Sequence, residues 1–201
     1  ELVAETYGWE HLLYSIARVS VVMKGNEVSF QQETARFEIG ERENTVISPQ
    51  VQAVKDLFDR AGIKCIVPKD MVFDMWHKFM CNVSENQSAA ILGIPFGAWV
   101  VSEHANAIRE AAMREVMAIA NKKGIGLSEE DIVAQRQVFP KIPYGNKPST
   151  LQDIEAGRKT EVDIFAGAVI RMGKEVGVET PLNEFFYHAI RVLEEKNEGE
   201  I

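Results

Sequence analysis

The chain has 201 residues, 46% of them hydrophobic and 26% charged, so it can bury a core and is neither disordered nor fibrous. Its 22 Lys and Arg against 30 Asp and Glu leave a net charge of −8, which argues against a surface built to neutralise phosphates and so against nucleic acid as a partner. The longest charge-free stretch, residues 86–102, is 17 residues long and broken by Gly93, Pro95 and Gly97, short of the roughly 20 apolar residues of a membrane helix, and no membrane partner is expected.

The first third mixes strand and helix signals. Arg18-Val19-Ser20-Val21-Val22-Met23 is β-rich and runs into a turn at Lys24-Gly25-Asn26. Val28-Ser29-Phe30 and residues 35–40 then alternate as half-buried antiparallel strands do. Ser48 and Pro49 suit an N-cap and a first helical residue, and Val51, Val54, Leu57, Phe58 and Ala61 recur at helical spacing up to Gly62. Residues 63–67 read as a short strand stopped by Pro68. So few strands with one helix make a sheet too small to stand alone, and the chain opens abruptly at Glu1, so a preceding segment is expected. Cys65 and Cys81 cannot build a disulfide framework, and the residues after Glu1 show no basic-then-apolar signal pattern, so both are expected to be buried thiols of a protein in the reducing cytoplasm.

From Asp70 onward the apolar period is helical. Helices are predicted over residues 70–92, ended by Gly93 and Pro95, and 103–123, ended by Gly124, with a short one over 129–137. A Pro/Gly/Asn loop covers residues 140–148; Ser149 then opens a long helix to about residue 176, and Thr180-Pro181 caps a last one over 181–196. Helices of this number and size make an all-α domain.

Two segments carry residues with chemistry. Asp74, Lys78, Asn82 and Asn86 recur every four residues, so they share one helix face among Val72, Trp76, Phe79, Met80 and Val83. Two amides beside one cation suit a carbonyl-bearing anion; the plainer reading is a surface ion pair with two exposed asparagines. The second segment runs from Lys147 to Asp163. Gly157 and Gly167 inside its helical pattern cost roughly 1 kcal/mol each and ask for a packing or functional reason, unless Ser149 and Gln152 simply form a capping box on a solvated helix. His11, His77, His104 and His188 show no ligand spacing, so no metal site is expected. GxGxxG occurs nowhere: Gly124-Ile125-Gly126 is followed at position 129 by Glu.

Taken together, Trp76-His77-Lys78-Phe79-Met80-Cys81-Asn82 with Asn86, the run Pro148-Ser149-Thr150-Leu151-Gln152-Asp153-Ile154-Glu155-Ala156-Gly157-Arg158-Lys159-Thr160-Glu161-Val162-Asp163, and Gly177-Val178-Glu179-Thr180-Pro181-Leu182-Asn183 resemble the ketopantoate reductase (2-dehydropantoate 2-reductase) family, C-terminal part. The resemblance implies an α+β chain. It implies that residues 1–68 are the end of a Rossmann-type NADP-binding domain with several strands and one helix, and residues 69–201 an all-helical catalytic domain like the 6-phosphogluconate dehydrogenase C-terminal fold. It implies Lys78 as general acid, Asn82, Asn86 and Ser149 as binders of a 2-oxo acid, Glu161 as a cofactor-binding residue, and NADPH held mainly by the region expected before residue 1; a carboxylate at Glu161 would also orient Lys78. The activity implied for the full-length form is reduction of ketopantoate to pantoate in pantothenate and coenzyme A biosynthesis, the fragment alone being inactive. Some family members carry a further substrate-binding Asn where this chain has Phe96, so a paralogous reductase of another branched 2-oxo acid stays open. So does a non-catalytic helical dimerisation module, with Ala98-Trp99-Val100-Val101 as a homodimer contact.

Overall fold

The strand signals of the first third resolve into two separate pieces of sheet. In the computed structural model of the chain, residues 2–19, 21–30 and 35–201 are described, and Glu1–Met75 form one compact unit, Trp76–Ile201 another. The first unit holds α1 (Leu2–Tyr7), β1 (Tyr14–Arg18), β2 (Val21–Lys24), β3 (Glu27–Phe30), β4 (Arg36–Gly40), α2 (Pro49–Arg60) and β5 (Cys65–Ile66). β1 lies antiparallel to β4, β4 parallel to β5, and β2 with β3 forms a hairpin of its own around Gly25. The strand expected to begin at Arg18 is two strands: Arg18 ends β1 and Val21 begins β2, while Ser20 lies outside the described residues. β1 gives little sequence signal because Ile16 is its one buried residue, flanked by Ser15 and Ala17.

Ile16, Ile39, Val51 and Cys65 are buried, and the Phe37 and Phe58 rings meet at 5.3 Å. Glu38 is also buried and accepts hydrogen bonds from Arg18 Nε at 2.6 Å and Arg36 Nε at 3.0 Å, so its charge is paired. α2 starts as predicted, with Pro49 first and the Ser48 hydroxyl accepting from the Val51 N–H at 3.3 Å. The loop before it is tied to residues 68–71: Asn44 Nδ2 donates to the Pro68 carbonyl at 2.8 Å and the Met71 N–H to the Arg42 carbonyl at 3.1 Å. Asp70 then caps the next helix through the Phe73 N–H at 2.8 Å.

That helix is α3 (Met71–Leu92), and it is followed by α4 (Ala98–Val101), α5 (Glu103–Lys122), α6 (Glu129–Gln135), α7 (Ser149–Glu155), α8 (Ala166–Val176) and α9 (Pro181–Glu198). Within Trp76–Ile201, α5 is the hub, packed against α4, α6, α8 and α9. Ala112, Val162, Ala166, Phe186 and Ile190 form one apolar cluster; Ala89, Trp99, Ala105 and Phe139 form a second, against which Phe96 packs. Trp99 therefore faces the core at 2% exposure, and only Val100 and Val101 of the apolar run meant for an interface are open.

The long helix expected from Ser149 does not form as one piece. Gly157 takes φ +65°, its N–H bonds the Ile154 carbonyl at 3.2 Å, and the Arg158 N–H bonds the Asp153 carbonyl at 2.8 Å, a Schellman stop after α7. The chain turns through residues 158–165 before α8 begins. The capping box is absent too: Pro148 occupies the N-cap position, and Gln152 Nε2 donates to the Lys147 carbonyl at 2.7 Å. Gly167, by contrast, leaves room for ordinary contact, so sterics do not demand it.

α9 opens at Thr180-Pro181 as predicted, yet Thr180 makes no side-chain cap. Glu115 of α5 fills that role, accepting from the Leu182 N–H at 2.8 Å and the Asn183 N–H at 3.0 Å, with Asn183 Nδ2 at 2.6 Å. Glu115→Ala is expected to cost about 1–2 kcal/mol, the value of a lost cap, read as a lower denaturation midpoint with an unchanged slope. No helix among the described residues is long and apolar enough to cross a membrane.

Candidate functional site

Four-residue spacing puts Lys78, Asn82 and Asn86 on one face of α3, within Trp76–Ile201. Lys78 and Asn82 are half-buried and Asn86 is buried at 8% exposure, so the reading of the asparagines as simply exposed fails. The cause is the run Ser84-Glu85-Asn86-Gln87-Ser88, buried on all sides although wholly polar. Buried polar groups call for internal partners, and in this run the Ser84 Oγ is left without one among the described residues.

Those partners build the site. Asn86 Nδ2 donates to Ser149 Oγ at 3.4 Å, the long end of hydrogen bonding, which joins α3 to the start of α7 across 63 residues of sequence. Gln87 Nε2 donates to the Val83 carbonyl at 2.7 Å, and its Oε1 accepts the Ala166 N–H at 3.1 Å, capping α8 from α3. Glu161 lies exposed in the turn before α8, its carbonyl accepting from the Ile164 and Phe165 N–H groups at 3.0 and 3.1 Å. Of the five residues singled out, the structure thus brings Asn86 and Ser149 together and places Lys78 and Asn82 on the same helix. Glu161 occupies a neighbouring turn that Gln87 fastens to that helix.

Phe96 takes its place through backbone as well as ring. Its N–H donates to the Asn146 carbonyl at 2.8 Å, three residues before Ser149, and its ring stacks on Phe139 at 6.3 Å. An apolar ring here replaces an amide. An open cleft of about 490 Å³ elsewhere, lined by Gly173, Lys174, Thr180 and Glu184 among others, involves none of the predicted residues.

Beside Asn86 lies a charge cluster that spacing does not reveal. Arg109 of α5 is fully buried, with Nη1 3.4 Å from Glu85 Oε1 and Nη2 3.2 Å from Glu110 Oε1 and 3.1 Å from Asn106 Oδ1. Its guanidinium lies 4.9 Å from the Phe139 ring centroid and 5.9 Å from that of Trp99. Arg136 Nε closes the cluster on Glu110 at 2.6 Å.

Burial pushes the Glu85 carboxyl up to about 7, against the opposing pull of Arg109 and a hydrogen bond from Gln135. The folded chain therefore keeps a proton between about pH 5 and 7 that the unfolded chain has lost, and this group's contribution to stability falls as pH rises through that window. Asp163 and Glu194 act in a separate, lower window. Arg191 holds the Asp163 carboxyl below its usual range; burial raises that of Glu194, but the Thr160 hydrogen bonds and Arg191 outweigh it, so what both contribute is lost as pH falls through their lowered values. Glu85→Gln, still faced by Arg109, is expected to melt with a flatter profile between pH 5 and 7.5, the difference being about 3 kcal/mol at most. Parallel profiles would contradict the assignment.

The family model for the C-terminal part of ketopantoate reductase (PanE/ApbA) matches residues 70–194, which include the α3 stripe, Ser149 and Glu161. The chain belongs to the ketopantoate reductase family. The 2-dehydropantoate 2-reductase of Archaeoglobus fulgidus is 26% identical over 156 residues, 78% of this chain and 52% of that protein. The chain spans about half the length of the curated relatives it matches. Among solved structures, the 2-dehydropantoate 2-reductase of Methylococcus capsulatus superposes with a TM-score of 0.80 at 24% identity, over 98% of this chain and 67% of that one. A D-mandelate dehydrogenase solved with NADH reaches 0.86 at 20% identity, over 97% and 66%. These likenesses establish the shared α+β fold.

A dinucleotide needs a glycine turn leading into a helix N-terminus for its pyrophosphate. The β4-to-α2 passage carries Glu41 and Glu43 and no glycine after Gly40, and α2 opens on Pro49 already capped by Ser48. These residues do not fit the pyrophosphate.

Proposed function

We propose that this chain supplies the substrate-holding and proton-donating part of an NADPH-dependent 2-oxo acid reductase acting on ketopantoate. The carrying observation is the Asn86–Ser149 contact, which brings together two separated motifs of one family on the helix that bears Lys78. Reduction of a ketone adds a hydride to carbon and a proton to oxygen; a nicotinamide held outside these residues would supply the hydride. Lys78 supplies the proton: an ammonium beside the carbonyl oxygen stabilises the charge that develops there and then neutralises it. Asn82, Asn86 and Ser149 bind the carboxylate and oxygen of the acid as neutral donors, without a second cation to compete with Lys78. Glu161 orients Lys78 and meets the cofactor side.

Phe96 favours a second reading within the same chemistry, a branched 2-oxo acid other than ketopantoate, because a half-buried ring stacked on Phe139 offers no hydrogen bond to a substrate hydroxyl. A homodimer through the helical unit belongs to the same proposal, supported by the exposed Val100 and Val101. So does a reducing cytoplasm, supported by Cys65 and Cys81, both buried and neither in a disulfide. The full gene product, assayed for NADPH oxidation with ketopantoate, 2-oxoisovalerate and phenylglyoxylate, is expected to turn over ketopantoate. Preference for either of the others would establish the second reading. Oxidation with none of them would leave only a helical association module.

A further inference from the structure

The turn that carries Glu161 is held residue by residue, with only the Glu161 side chain left out. Before it, the Thr160 N–H and Oγ1 both donate to Glu194 Oε1 at 2.7 Å, and the Thr160 hydroxyl accepts the Val162 N–H at 3.3 Å. After it, Val162 is fully buried in the α5–α8–α9 cluster. Asp163 then receives Arg191 Nη2 on both oxygens at 2.7 Å and the Tyr187 hydroxyl at 3.2 Å. Phe165 is buried, and Ala166 is fastened by Gln87 at 3.1 Å.

The two carboxylates that grip the turn, Glu194 and Asp163, converge on one side chain. Arg191 Nη1 donates to Glu194 Oε2 at 2.7 Å while Nη2 holds Asp163, and the guanidinium lies 5.3 Å from the Tyr187 ring centroid. A planar fork with donors in two directions can bridge both at fixed geometry; the shared point charge of a lysine holds them less rigidly.

We infer that Arg191 is a positioning residue for Glu161: by bridging Glu194 and Asp163 it fixes the backbone on either side of Glu161 and so sets where that carboxylate is presented. The inference rests on the proposed role of Glu161. The helix-side anchor, Gln87, fixes the end of the same turn to the element bearing Lys78, so loosening Arg191 lets the carboxylate drift relative to a fixed ammonium. Displacement of a catalytic group by about 1 Å costs up to a hundredfold in rate.

The test uses the full gene product with NADPH and ketopantoate. Arg191→Leu is expected to lower kcat about tenfold or more with little change in KM for the oxo acid, because Asn86 and Ser149 are untouched. Arg191→Lys is expected to recover only part of that loss. Amide exchange at Thr160 and Val162 is expected to speed up in both variants, a readout that needs no turnover. Arg114→Leu is the control for a mere structural loss, since Arg114 pairs with Glu129 through two hydrogen bonds of 2.8 and 2.9 Å and has no part in the turn. A kcat for Arg191→Leu equal to that of Arg114→Leu, or unchanged exchange at Thr160 and Val162, overturns the inference while Glu161→Gln still lowers turnover. A silent Glu161→Gln overturns the role of Glu161 itself, and the inference with it.

Discussion

Lys78→Ala in the full gene product is expected to lower kcat for ketopantoate by two or more orders of magnitude, with the melting temperature unchanged within a few degrees. The size follows from what is removed: a positioned general acid contributes about 10²–10⁴-fold, and no other cation lies on this face of α3 to take its place. The fold is spared because Lys78 is half-buried, and the helix around it is held by Met80, Val83 and the fully buried Gln87. Steady-state NADPH oxidation beside a thermal melt measures both halves of the statement. Turnover within a few-fold of the unaltered protein would remove Lys78 from the chemistry and leave the asparagines as a binding site alone.

The largest loss of stability is expected from Arg109→Ala. The substitution leaves the Glu85 and Glu110 carboxyls buried without the guanidinium, with Arg136 and Arg114 still on Glu110 and Gln135 on Glu85, and opens space under the Phe139 and Trp99 rings. Breaking a buried ion cluster by removing one member costs about 3–5 kcal/mol, which for a chain of this size lowers the melting temperature by about 10 °C. Arg109→Met with Glu85→Gln restores apolar volume and puts a neutral amide in place of the buried Glu85 carboxyl, so the double variant is expected to recover much of the loss. If Arg109→Ala melts within 2–3 °C of the parent, corresponding to about 1 kcal/mol, the cluster does not hold the helical unit together.

What could be read from the residues depended on how far away each deciding partner lies. Ser48 with Pro49, Asp70 before α3 and Gly124 after α5 mark helix ends because a cap acts within a few residues. The Lys78, Asn82 and Asn86 stripe was visible for the same reason, since helical periodicity is local. Burial of Asn86 was not, because it follows from a polar run that only α5, α7 and α8 can enclose. Gly157 tolerates either a continued helix or a left-handed stop, and the choice falls to Glu194 and Arg191, more than 30 residues onward, which hold the turn open at Thr160 and Asp163. Arg109 has the local surroundings of an ordinary exposed helix position. Nothing short of the packed neighbours distinguishes it.

The carboxylate of Glu115 at the head of α9 also bears on the order in which the molecule assembles. α9 follows every element that it fastens: Glu115 on α5, Ile154 on α7 through Asn197 at 2.7 Å, and Thr160 and Asp163 in the turn. During synthesis, α3 and α5 can pair through Glu85 and Arg109 as soon as both have left the ribosome. The segment around Glu161 stays without its Glu194 and Arg191 bonds until α9 has emerged. A nascent chain halted between α8 and α9 would therefore present Lys78 and Asn86 on a formed helix while the turn that carries Glu161 still lacked its bonds to Glu194 and Arg191.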